Sequence, residues 1–195
     1  MASSYGQVLK DLQVGLEEGE KPVQVFLREH FGIKTRNIGN KRVEWDLEFA
    51  GVDSTYLKKF PRKNKTQVQK KFLNKYGRTF EIKRDKTSDR TGNFFFEVWS
   101  NIRVENPGCL NRSKADVVVI VRKKEFIFIN RGYLISWIID NLYCDTELNK
   151  KWKKKTCRRI KNPEMKSSYV SPQVRGILIP IEDIKKEAII AVFKR

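Results

Sequence analysis

Residues 77–101, GRTFEIKRDKTSDRTGNFFFEVWSN, set an acid and a lysine two apart, Glu81 and Lys83, in a run whose alternating Phe80 and Ile82 read as a β-strand. A Gly-Asn turn and an aromatic run follow, and that run carries one more acid, Glu97. Upstream, KRVEWDLEF alternates Val43, Trp45, Leu47 and Phe49 with Glu44, Asp46 and Glu48, as a half-buried strand with three acids on its open face would. If these two strands are neighbours in one sheet, their open faces bring Asp46, Glu81 and Lys83 together. Converging carboxylates make an oxygen-ligand site for Mg²⁺, a hard cation that keeps several waters. Such an ion polarises a phosphate and acidifies a bound water, while a neighbouring ammonium orients or helps deprotonate the nucleophile. A lone Glu-x-Lys is also an ordinary solvated or cross-strand pair on an exposed strand, so the surrounding elements have to decide.

Those elements read as follows. Tyr5, Val8, Leu9, Leu12 and Leu16 form an i, i+3, i+4 stripe, an amphipathic helix that Gly19 interrupts. Pro22 suits the first turn of a second helix, EKPVQVFLREHF, which Gly32 ends. Residues 50–76 are polar and basic, broken by Pro61, with a short helical pattern in TQVQKKFLNKY; they read as an insertion between two strands. NFFFEVW is apolar on both faces apart from Glu97, which suits a central strand. ADVVVIV and EFIFI follow as a hairpin-like pair around Arg122–Lys124, then a helix over 131–143 packed on the sheet. In the tail, Pro180 places GILIPI at a sheet edge, and IEDIKKEA reads as a short helix. The order predicts a mixed α/β (α+β) fold, a central mixed sheet flanked by helices, as one domain over 1–195.

The net charge of +18 is concentrated. Residues 55–90 hold thirteen Lys/Arg against three acids and residues 150–161 hold eight against none, so the rest of the chain is neutral. Such segments fit a polyanion, because neutralising phosphates releases condensed counterions. The expected contacts are Lys63 and Lys65 in the basic insertion at about 50–78, and Lys153, Lys154 and Arg158 in the run at 150–161, with Trp152 able to stack beside bases. Both segments are expected to flank the carboxylates. Three scattered cysteines and a single histidine, His30, give neither a disulfide framework, a Cys/His metal centre nor a histidine-based triad. No apolar run is long enough to span a membrane and no signal-peptide core opens the chain, so an intracellular, cytoplasmic protein without membrane partners is expected, with a nuclear location the alternative if the host is eukaryotic.

WDL followed by FEIK resembles the D…(D/E)xK signature of the PD-(D/E)XK nuclease superfamily, with Asp46, Glu81 and Lys83 at the motif positions. EIKRDKTSDRTGNFFFE is similar to the E-x-K-x-D…TGN-x-x-x-E block of small phage and mobile-element members, in which Glu97 matches a further glutamate. NRSKADVVV resembles their Ser/Thr-Lys-Ala-Asp segment, which brings Lys114 forward as a phosphate contact or a surface charge. LEEGEKPVQVFLREHFG resembles the first helix of the superfamily, whose acid can complete the metal site; Glu20 matches it best, with Glu17 its rival. The 34 residues between Asp46 and Glu81 exceed the short hairpin usual there.

The resemblance implies a restriction-endonuclease-like core and DNA hydrolysis to a 5′-phosphate and a 3′-hydroxyl. In that reading Asp46, Glu81 and Glu20 hold Mg²⁺ or Mn²⁺, and Lys83 orients or activates the attacking water or stabilises phosphate charge. Glu97 would support the site or pair with Lys83. A junction resolvase or a site-specific nicking or cutting enzyme is expected, of a kind that commonly works as a homodimer. The alternatives are a non-catalytic basic nucleic-acid-binding protein on a nuclease-like fold and an RNA-directed nuclease. Asp85 and Asp89 suit a turn, and His30 and the cysteines read as structural.

Overall fold

VVVIV is β-branched throughout, and a strand with such residues on both faces belongs inside a sheet. In the computed structural model of the chain this run is β6 (Val117–Val121), buried at every residue. The structure describes residues 13–38, 45–84, 86, 88–101, 106–142, 175–184 and 188–195. The chain forms two units: Met1–Arg84 with Lys114–Arg131 and Ile189–Arg195, and Asp85–Ser113 with Gly132–Ala188. The second unit is therefore inserted into the first at two points of the sequence.

The first unit is mixed α/β, a six-stranded and mainly antiparallel sheet with helices packed against it. Its strands are β1 (Ile33–Asn37), β2 (Leu47–Val52), β3 (Thr79–Arg84), β6, β7 (Glu125–Asn130) and β9 (Ile189–Lys194), in that spatial order. Only β3 and β6 run parallel; β6 and β7 form the antiparallel hairpin expected around Arg122–Lys124. The alternation in FEIK sends Phe80 and Ile82 into the core with Val117, Val119, Val121, Phe126 and Phe128. Removing one such ring, as in Phe128→Ala, costs about 3–5 kcal/mol.

Three helices position the site or cover this core. The helix carrying Glu20 begins as a π-helical turn, Gly15–Glu20, and runs directly into α1 (Lys21–Phe31). Gly19 does not interrupt it, contrary to the reading from sequence. The Lys21 N–H reaches back to the Leu16 carbonyl, the wide i→i+5 spacing of a π turn, and Pro22, which has no N–H to offer, falls in the first turn of α1. The insertion between β2 and β3 is two capped helices, α2 (Ser54–Lys59) behind Asp53 and α3 (Lys65–Tyr76) behind Asn64. Strand β2 begins at Leu47, later than its sequence pattern suggests, and continues to Val52; residues 39–44 lie outside the described residues.

Residue Asp116, from the SKAD segment, clamps the start of β3: its Oδ2 accepts the Arg78 and Thr79 N–H groups at 2.6 and 3.0 Å. The clamp requires Gly77, which has φ +73° and where a Cβ would sit 2.5 Å from the Asp116 Cβ.

The second unit holds a three-stranded sheet in the order β5 (Asn106–Pro107), β4 (Asn93–Asn101), β8 (Arg175–Pro180). The aromatic run is thus a central strand, but of its own sheet, with Phe94 and Phe96 buried and packed edge to face at 4.7 Å. GILIPI is at the edge, as Pro180 requires. Three helices complete the described part of this unit: α4 (Ser88–Thr91), α5 (Cys109–Arg112) and α6 (Arg131–Leu142), whose first residue belongs to the first unit. A single 3₁₀ turn, Ile181–Asp183, stands where a short helix was expected. Among the described residues, no helix is long and apolar enough to cross a membrane.

Candidate functional site

Pairing of β2 with β3 aligns Leu47 with Phe80, so Asp46 lies one step beyond the ladder, opposite Glu81. Three hydrogen bonds fix it there. Its N–H donates to the Phe80 carbonyl at 2.9 Å, its carbonyl accepts from the Ile38 N–H at 3.0 Å, and its Oδ2 accepts the Ile82 N–H at 2.6 Å. The side chain thereby continues the ladder that the backbone has left.

Glu81 and Lys83 leave β3 on the face opposite Phe80 and Ile82. Glu81 is 7% exposed, beside Val118 in the parallel register. A carboxylate so buried needs a partner, and Lys83 supplies it with Nζ 2.6 Å from Oε1. The lysine side chain keeps 30% of its surface open, so its ammonium remains within reach of a ligand.

Glu20 joins this pair from the π turn. Gly19, just before it, is buried against β3, where a Cβ would meet Ile82 Cγ2 at 3.3 Å and Arg84 Cβ at 3.6 Å. The absence of a side chain lets the turn settle on the strand and carries Glu20 to the acids. Burial and then the Asp46 charge, with a smaller contribution from Glu81, push the Glu20 carboxyl up from 4.5 to about 7; a hydrogen bond from Asn37 and the charge of Lys83 pull the other way. Asn37, at the end of β1, donates its side-chain amide to Glu20 Oε2. No pattern in LREHFGIKTRN singles Asn37 out, because only the pairing of β1 with β2 brings it to the site. Glu17 instead pairs with Lys21 at 2.5 Å on the surface, and Glu18 faces Arg84 at 3.7 Å.

Three carboxylates and one ammonium therefore share a small region of unit one. Carboxylate oxygens are the donors that Mg²⁺ and Mn²⁺ prefer, and the repulsion felt by Glu20 is of the kind a divalent cation relieves. By donor chemistry the residues fit such an ion. They do not form a closed cage: among the described residues, no three Asp, Glu, His or Cys side chains converge tightly enough to hold a metal. One oxygen each of Asp46, Glu81 and Glu20 is engaged by Ile82, Lys83 and Asn37 respectively.

The other candidate residues are placed as follows. Glu97 is half-buried on β4 in the second unit, against Gly108, where a Cβ would stand 2.5 Å from the Glu97 carbonyl oxygen. Lys114 is exposed in the segment leading into β6. Trp152, Lys153, Lys154 and Arg158 fall outside the described residues. The basic insertion covers the Phe80 side of the sheet, on which α1 also packs, whereas Glu81 and Lys83 leave β3 on the other side. Helix α3 packs through Phe72 and Tyr76 on the Phe80 side of the sheet, with Phe72 and Phe80 ring centroids 6.1 Å apart. Lys63, just before α3, and Lys65, its first residue, thus belong to the layer from which Glu81 and Lys83 point away. The reason is local: the apolar stripe of α3 needs a face to cover, and the Phe80–Phe128 cluster supplies one.

No family model, curated protein or solved structure matches this chain.

Proposed function

We propose that this protein is a metal-dependent DNA endonuclease on a PD-(D/E)XK-type core, hydrolysing phosphodiester bonds with Mg²⁺ or Mn²⁺. The observation that carries the reading is the gathering of Asp46, set opposite Glu81 at the end of the β2–β3 ladder, with the Glu81–Lys83 pair and with Glu20, whose carboxyl burial and then the Asp46 charge raise to about 7. A surface meant only to bind a polyanion has no use for three crowded acids, which repel phosphate. Asp46, Glu81 and Glu20 would hold the cation. When bound, it would supply neutralisation of the phosphate and acidification of a water.

The chain's own groups do the rest. Asp46, locked at both backbone and side chain, sets the position of the site on β3. Lys83 Nζ orients the water or carries charge opposite the phosphate, on release from or while sharing Glu81 Oε1. Glu20 has to lose its proton to serve as a ligand, so its contribution grows as pH rises through about 7. The net charge of +18 draws the substrate in.

The test is incubation of the full chain with supercoiled plasmid, a four-way junction and a structured RNA, each with Mg²⁺ and with EDTA. Metal-dependent scission of DNA is the expected result. Scission of RNA alone would make this an RNA-directed nuclease. Tight binding of all three without scission would make it a binding protein on a nuclease-like fold.

A further inference from the structure

Three lysines of the insertion, Lys63, Lys71 and Lys75, line a pocket of about 620 Å³ on the side of unit one that α3 covers. That volume lies within the ~300–1,000 Å³ usual for small-ligand sites. Aromatic walls come from Phe31, Tyr76 and Phe193, with the Phe31 ring 5.3 Å from Tyr76 and 5.4 Å from Phe193. Tyr56 forms another wall, and the fold is built to bring it there. Gly32 has φ +68° and no Cβ, and a Cβ at that point would stand 2.2 Å from the Tyr56 ring. The Tyr56 hydroxyl donates to the His30 carbonyl at 3.3 Å and accepts from Lys63 Nζ at 3.1 Å.

The lining is cationic and, among the described residues, contains no carboxylate. Lys63, Lys71 and Lys75 all line it, and none of the three forms an ion pair among the described residues. Lys63 Nζ lies 4.7 Å from the centre of the Phe60 ring and 5.3 Å from that of Tyr56, and Lys75 Nζ 5.2 Å from that of Tyr76. These are cation–π distances, which leave the remaining ammonium protons for an anion. Gln67, also in the lining, offers a carbonyl and an amide that can read a base edge.

We infer that this pocket binds a nucleotide, its aromatic base against the ring walls and its phosphate among Lys63, Lys71 and Lys75. Ring walls alone would suit any apolar molecule, and lysines alone any anion. Their combination selects a ligand that is both aromatic and phosphorylated. The same chemistry is offered by a free nucleotide and by an unpaired nucleotide within a strand. The site is independent of the cleavage reading, since its lining includes none of Glu20, Asp46, Glu81 and Lys83.

Titration calorimetry of the full chain with deoxyadenosine monophosphate, deoxyadenosine, inorganic phosphate and penta-deoxyadenylate tests this. The monophosphate should bind saturably, at least tenfold tighter than either the nucleoside or phosphate. Lys63→Glu and Lys71→Glu, both exposed and folded by far-ultraviolet circular dichroism, should each weaken it at least tenfold. Lys71→Gln should weaken it less, and Lys124→Glu on the β6–β7 turn should leave it within twofold. An oligonucleotide tighter than the monophosphate identifies strand as the source, and equal affinity identifies the free nucleotide. Absence of saturable binding overturns the inference. So does phosphate binding as tightly as the nucleotide, or affinity unchanged in both charge reversals.

Discussion

Two acids of the first unit, Glu20 and Asp53, are held in opposite states. Asp53 is 7% exposed and burial alone would raise its pKa. Hydrogen bonds from the Tyr56 and Thr55 N–H groups, at 3.2 and 2.8 Å, and the Lys34 ammonium at 3.6 Å outweigh that and hold the carboxyl below the usual range. Glu20 sits half-buried on a helical turn with one amide donor and two neighbouring carboxylates, and burial first and then the Asp46 charge raise it to about 7. The first environment is that of a helix cap, where every donor is aimed at the charge. The second crowds like charges, which lowers stability unless a cation is to be received. The difference separates an acid that holds the fold from one that, in the proposed function, the fold holds for a ligand.

The sharpest way to break this comparison is to remove the crowding. Asp46→Ala and Glu81→Ala should each reduce DNA cleavage on the order of 1,000-fold or more, with retained binding in a filter or gel-shift assay. Undiminished cleavage in excess EDTA would remove the metal from the account.

Next in size is Lys83. Arginine keeps the charge but is larger and does not deprotonate, so Lys83→Arg should lose most turnover and Lys83→Ala nearly all. The alanine variant also leaves Glu81 buried without its partner, at about 1–3 kcal/mol of stability. Near-normal turnover of Lys83→Ala would defeat the assignment.

The pH dependence sharpens the contrast. Glu20 binds its proton more tightly folded than unfolded, so its contribution to stability is fully present below about 4.5 and is lost as pH rises through about 7. Urea midpoints of the metal-free chain should fall across that window, and Glu20→Gln should flatten the fall. Asp53 has the opposite sign: its contribution is present above the ordinary value of 3.8 and is lost as pH drops through its lower folded value. The smallest effect is expected from Asp53→Ala, about 1 kcal/mol from loss of a cap, with cleavage unchanged. A large loss of activity there would mean that the cap also sets the site.

Much of the site was legible because it sits on local patterns. The alternation of Phe80 and Ile82 with Glu81 and Lys83 already separates a core face from a polar one, and the β-branched run of β6 announces a buried strand. The hairpin of β6 and β7 and the stripe of α1 are short-range signals of the same kind. Strand β1 was not readable, since IKTRN buries only Ile33. Nor was β9, whose tail residues IIAVFK carry no alternation and pair with β7 some sixty residues away.

What the amino-acid order determined by itself was which residues are charged, which stripes are apolar, and that an acid and a lysine share one strand face. Only the tertiary structure decided what meets what. Asn37 reaches Glu20 because β1 pairs with β2. Glu20 reaches Asp46 because Gly19 lets a π turn lie on β3. Lys63, Lys71 and Lys75 of the insertion gather at one pocket because α3 packs on the Phe80–Phe128 cluster. Periodicity along a chain states that a face must be buried; it holds no information on which distant face will cover it, and that choice set the geometry of both sites.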